Sequence, residues 1–186
     1  MVMKAVHLIF LLGLAAGAAR AETCPPPPDR SDELTGLIDA VRQAPDQRSA
    51  RLISNQMWNI WADAPDRRAQ ELLDEGMIRR EVRDFAGAVD AFDALIAYCP
   101  DYAEGYNQRA FVNFIRQDYE AALPDLERAV ALSPRHIAAL TGKALTLFAL
   151  DRKGEAALAL RRALEMNPWI AERHLLPLLE APERKL

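Results

Sequence analysis

Pro100, Pro134 and Pro168 stand 34 residues apart, and the stretch before each carries the same spacing of small and apolar residues. A unit this short cannot enclose a core by itself. It buries its apolar face only by stacking on the next copy, so the chain has to form a solenoid of successive units, each touching its neighbours. In register the units run over 69–102, 103–136 and 137–170. Apolar residues recur at helical rather than alternating spacing, and no alternating run is flanked by turn residues, so the pattern predicts an all-α chain.

Within each unit a large apolar residue is followed four positions later by a small one, then by an alanine in a second helical stretch and a proline near the end. The middle unit supplies Tyr106, Ala110, Ala122, Leu126, Ala129 and Pro134; the third supplies Leu140, Ala144, Leu147, Ala156, Leu160, Ala163 and Pro168. The first supplies Leu72, Gly76, Ala88, Phe92, Leu95 and Pro100, with leucine in place of its last alanine. This pattern resembles the tetratricopeptide repeat family. Arg79 and Asn113 stand where that family usually keeps an aromatic, and Glu75 and Arg109 where it often has leucine. The resemblance implies a right-handed solenoid of three helix-turn-helix repeats that binds a protein or peptide partner in its concave groove, with no catalysis and no cofactor. Groove positions carried over onto this chain are Leu73, Met77 and Arg80, then Asn107, Phe111, Phe114 and Ile115, then Thr141, Leu145 and Phe148. The Asn107 and Gln108 amides are expected to meet a bound main chain. The lysine and arginine clamp by which some family members hold acidic chaperone tails is missing, since the corresponding places hold Leu73, Met77, Gln108, Ala138 and Gly142.

Flanking the repeats, a Pro-rich linker is expected over 22–30, with Pro25 to Pro28 in a row. A helical hairpin is expected over 31–66, its first helix capped by Ser31 or Asp32 and its second running from about Asp46 to Ala62. Pro65 and Asp66 then stop one helix and cap the next. Residues 171–186 are expected to form a C-terminal capping helix and tail. Both flanks are apolar enough to pack on something, Trp58 and Trp61 in the hairpin and Trp169 to Leu179 at the other end. Two readings of the groove follow: open to a partner, or filled by the protein's own helices.

Residues 1–21 read as a bacterial secretory signal: Lys4, an apolar run from Ala5 to Ala19, and an Ala19-Arg20-Ala21 cleavage site. The run is too short for the roughly 20 residues of a spanning helix, so the mature chain is expected to be periplasmic or secreted, with no membrane span. Losing Lys4 and Arg20 takes the formal charge from −4 to −6, which disfavours nucleic acid or anionic lipid as partner. In an oxidising compartment Cys24 and Cys99 can bridge. They can also stay unpaired, while lipidation of Cys24 is disfavoured by Glu22 and Thr23 before it.

His136 and His174 lie 38 residues apart with no cysteine or acid at metal-ligand spacing, and no phosphate loop or nucleophile elbow occurs. The expected function is a non-catalytic adaptor of the cell envelope that holds an apolar peptide or helix in its groove. An assembly or folding factor with many weak clients, or a self-associating structural protein, fits the same features.

Overall fold

The structure, a computed structural model, describes residues 23–181; the signal peptide expected over residues 1–21 lies outside the described residues, as do residues 182–186. Among the described residues there is no strand. The helices are α1 (Ser31–Arg42), α2 (Gln47–Trp61), α3 (Arg67–Glu81), α4 (Phe85–Tyr98), α5 (Ala103–Ile115), α6 (Tyr119–Leu132), α7 (Ile137–Ala149), α8 (Lys153–Met166) and α9 (Leu176–Glu180), the last preceded by a 3-10 turn over Ala171–Leu175. None of them is long and apolar enough to cross a membrane.

Helix starts are set by short acceptor side chains. Asp46, Asp66, Asp84 and Asp118 each accept the backbone N–H three residues on, a cap that stabilises a helix by about 1 kcal/mol. At α1 the cap differs from expectation: Asp29, two residues before Ser31, accepts the Ser31 N–H at 2.9 Å. Each first helix of a repeat ends in the same way. Arg83, Gln117 and Asp151 lie 34 apart and adopt φ of 64°, 62° and 57°, a left-handed residue that reverses the chain and lets the next N–H reach back to Arg79, Asn113 and Leu147.

The three repeats are α3–α4, α5–α6 and α7–α8. Inside each, a small residue on the first helix admits a large one from the second: Gly76 faces Phe92, whose ring occupies the space that a Cβ would need. Ala110 and Ala144 stand at the equivalent positions, and there the later helix presents Leu126 and Leu160 instead of phenylalanine. Between repeats the ion pairs also follow the period. Arg109 on α5 reaches Asp93 on α4 at 2.6 Å, and 34 residues later Lys143 on α7 reaches Glu127 on α6 at 3.2 Å. Arg109 additionally forks onto Asp125 at 2.8 and 2.6 Å. This explains why the chain holds an arginine where leucine is usual in the resembled family.

The α1–α2 hairpin does not continue the stack. Had it done so it would cover the leading face of α3, yet Ile78 is exposed there while Val112, its equivalent one repeat later, is fully buried. Instead the hairpin crosses the concave side and docks on the third repeat. Leu34, Ile38, Val41, Ala50 and Met57 share a buried cluster with Ile137, Leu140, Ala163 and Met166. Polar ties span 100 or more residues of sequence: Arg135 donates to the Thr35 hydroxyl at 2.5 Å, Arg42 to the Glu165 carbonyl at 2.7 Å, and the Asn167 amide to the Ser54 hydroxyl at 3.0 Å. At the far end Leu175, Leu176 and Leu179 pack on Ala157 and Leu160 of α8, which covers the last repeat with a shorter helix than the expected 171–186 segment.

Candidate functional site, a walled groove

α2 and the segment from Asn167 to Glu172 wall the concave groove and leave a cavity of about 570 Å3 over the inner faces of α5 and α7. The two sequence readings, open groove and groove filled in cis, thus each describe part of it. Met57, Trp58 and Trp61 of α2 form one wall, Phe111 and Phe114 of α5 and Thr141 and Leu145 of α7 form the floor, and Trp169 closes an end.

Not every residue expected in the groove is there. Leu73 is a correction: it is fully buried in the core of the first repeat with Phe92 and Leu95. Ala62, Ala64, Tyr102 and Cys24 pack into that cluster, so the connection from α2 and the N-terminal segment cover a position that in later repeats faces the cavity. Met77 is half-buried against the same cluster and does not line the cavity. Ile115 and Phe148 lie outside the cavity and face solvent, 40% and 37% exposed, while Phe111 at 47% belongs both to the cavity and to this outer strip. Phe114 packs edge-on against Tyr119 at 5.4 Å.

The amides of Asn107 and Gln108 are likewise not free for a bound main chain. Beneath them lies Glu104, 0% exposed, whose carboxylate accepts from the Gln108 amide at 2.5 Å, the Asn107 amide at 3.1 Å and His136 Nε2 at 2.7 Å. His136 Nδ1 accepts the Ala139 N–H at 3.2 Å, so the ring proton sits on Nε2 and is donated to Glu104. A buried carboxylate needs several donors to offset its desolvation, and here they come from α5 and from the residue that caps α7. Trp61 stacks on the His136 ring at 4.4 Å, and its carbonyl accepts the Tyr102 hydroxyl at 2.7 Å. Burial pushes the Tyr102 hydroxyl well above the usual phenol range. Sequence reading weighed His136 only as a metal ligand. Its pairing with Glu104 was hidden because the two stand 32 residues apart, near one period, and meet only once repeats are stacked.

Arg80 of α3 hydrogen-bonds the Gln108 carbonyl and lies over the Phe111 ring at 4.9 Å. Burial pushes its guanidinium below the usual arginine range. Among the described residues no group of three or more histidines, cysteines, aspartates or glutamates could hold a metal ion. At the first repeat Cys24 and Cys99 form a disulfide, with Cα atoms 5.2 Å apart.

Comparison with known proteins bears on the whole arrangement. Residues 137–168 match the family model described as tetratricopeptide repeat. A TPR repeat-containing protein of Rhizobium etli is 32% identical over 157 residues, which span 79% of this chain and 76% of that protein. A tetratricopeptide repeat protein 36 homolog of Nematostella vectensis is 41% identical over 73 residues, 39% of this chain and 40% of its own length. Among solved structures, the first TPR of Spaghetti (RPAP3) bound to an HSP90 peptide superposes with a TM-score of 0.59 at 24% identity, covering 60% of this chain and 90% of that one. MamA RS-1, in a double mutant, gives 0.56 at 18% identity over 82% and 84%. These structures share the fold, while the Rhizobium relative shares sequence over most of both chains. The chain belongs to the tetratricopeptide repeat family.

Proposed function

We propose that the protein is a non-catalytic adaptor of the bacterial cell envelope that holds an apolar peptide or helix of another protein. The observation that carries this reading is the strip of Phe111, Ile115 and Phe148, large apolar side chains from successive repeats that stay exposed although the hairpin walls the groove beside them. Contiguous exposed apolar surface is uncommon on a monomer and costs solubility unless something binds there. A neighbouring structure, the first TPR of Spaghetti, carries an HSP90 peptide, which supports peptide binding as the mode. The Cys24–Cys99 disulfide supports an oxidising compartment, in keeping with the export signal read over residues 1–21.

The test is affinity capture from an envelope extract with the mature chain beside a Phe111→Asp/Phe148→Asp variant. Both side chains are exposed, so the variant should keep its helical circular dichroism. One or two proteins retained by the wild type and lost by the variant are expected. Equal capture by both proteins would refute the strip as the contact surface, and a broad set of weak clients would instead mark a folding factor.

A further inference from the structure

The leading face of α3, left open by the hairpin, has the layout of a covered one. On α5 this face packs on α4: Gly105 abuts Leu95 and Ile96, Arg109 pairs with Asp93, and Val112 is buried with Leu95. On α7 it packs on α6, where Ala139 shares a cluster with Val130 and Lys143 pairs with Glu127. The residues of α3 one period earlier are Glu71, Glu75 and Ile78. Ile78 is 61% exposed, and Val82, one turn on, is at 71% the most exposed large apolar side chain among the described residues.

Charge says what fits there. The ion pair that registers one repeat on the next puts the cation on the first helix and the acid on the second, Arg109 with Asp93 and Lys143 with Glu127. At both ends of the array the sign is reversed. Glu75 stands at the place of Arg109 and Lys143, and Arg161 of α8 stands at the place of Asp93 and Glu127. A helix that covers α3 in this register must bring a cation, and among α4, α6 and α8 only α8 has one. The acids of α4 and α6 would oppose Glu75 with like charge, which selects against them. On α8 the flanking places of Val89 and Ile96 are held by Ala157 and Leu164, so the apolar part of the match is kept.

Within one molecule α9 holds this place on α8, and it holds it lightly. It is five residues long, and Leu179 is its buried side chain, while Leu178 stays exposed. Its Glu180 meets Arg161 at 2.7 Å with both side chains exposed, and exposed pairs contribute little. Glu75 is no more tightly held, by Arg79 of its own helix at 2.7 Å. We infer that a second copy of this chain docks its α3 on α8 in place of α9, setting Glu75 against Arg161 and Ile78 against Ala157, so that the array continues from one molecule into the next. Such a contact joins the head of one copy to the tail of another and does not close on itself, so it builds open rows. Displacing α9 exposes its leucines, which keeps the association weak and dependent on concentration. The contact uses the two ends of the array, whereas the adaptor reading uses the outer strip.

Sedimentation velocity of the mature chain tests this between roughly 10 μM and 1 mM, the range of weak association. The weight-average sedimentation coefficient should rise with concentration without levelling at a dimer. Glu180→Arg, which sets α9 against Arg161, should strengthen the association. Ile78→Asp/Val82→Asp removes the head, and Arg161→Glu sets the tail against Glu75. These side chains are exposed, so helical circular dichroism should be kept, and each variant alone should stay monomeric. Mixed in equal amounts the two should form a dimer and nothing larger, because the intact α3 of one fits the intact α8 of the other. Adding Glu75→Arg to Arg161→Glu should recover association by about tenfold or more. A coefficient independent of concentration in both the wild type and the Glu180→Arg protein would overturn the proposal. Self-association of the Ile78→Asp/Val82→Asp protein, a mixture that stays monomeric, or a Glu180→Arg protein that associates no more than the wild type would also overturn it. The Phe111→Asp/Phe148→Asp protein should associate as the wild type does, so the capture experiment and this one can fail separately.

Discussion

Gly76 and Phe92 show how one position sets its partner across a helix pair. The other two repeats place alanine opposite leucine where the first places glycine opposite phenylalanine. Gly76→Ala gains about 1 kcal/mol of helix propensity. It also drives a methyl group into the Phe92 ring, and overpacking of a close-packed core costs ~1–3 kcal/mol. Urea denaturation should therefore show a net loss of stability. Phe92→Leu in the same chain should recover most of that loss by restoring the pairing of the other repeats, and strictly additive effects of the two changes would contradict the account. Glu104 shows the reverse situation at the same scale: one residue whose burial is tolerable only because Asn107, Gln108 and His136 were recruited to it.

Between helices, the repeating ion pair of Arg109 with Asp93 and of Lys143 with Glu127 registers one unit against the next. Arg109→Leu would install the family's commoner residue and leave Asp125, with a side chain only 10% exposed, without its guanidinium. The loss expected in chemical denaturation is roughly 1–3 kcal/mol, and adding Asp125→Ala should return most of it. The helices themselves were legible because the period fixes small and large residues at set offsets, and the aspartate caps at Asp46 and Asp66 are local signals. Where the hairpin lies was not legible. Its apolar face, carrying Leu34, Ile38 and Met57, says that it must be covered and does not say by what. That gap explains Leu73, which sits at a groove position by register and is buried because the chain leaving α2 runs across it. It also explains the cavity itself, which is made by three segments distant in sequence.

Across the whole molecule the hairpin changes what kind of object a repeat array is. A linear stack holds together through nearest-neighbour contacts and can lose units from its ends. Here residues near the start of the described chain are bonded to the third repeat, through Arg42 with the Glu165 carbonyl and Asn167 with Ser54. Cys24 is linked to Cys99 across 75 residues. Equilibrium unfolding should accordingly be one transition, with tryptophan fluorescence and helical circular dichroism coinciding; separated transitions would show that the hairpin does not couple the repeats. Reducing the disulfide should lower the stability measured in the same way by about 2–5 kcal/mol. Helix-pair solenoids otherwise behave as springs whose pitch and mouth breathe with load. The hairpin spans that mouth as a strut, so the protein should be stiff where an unbraced stack would flex, and a partner would meet a gap of fixed width rather than one that closes around it.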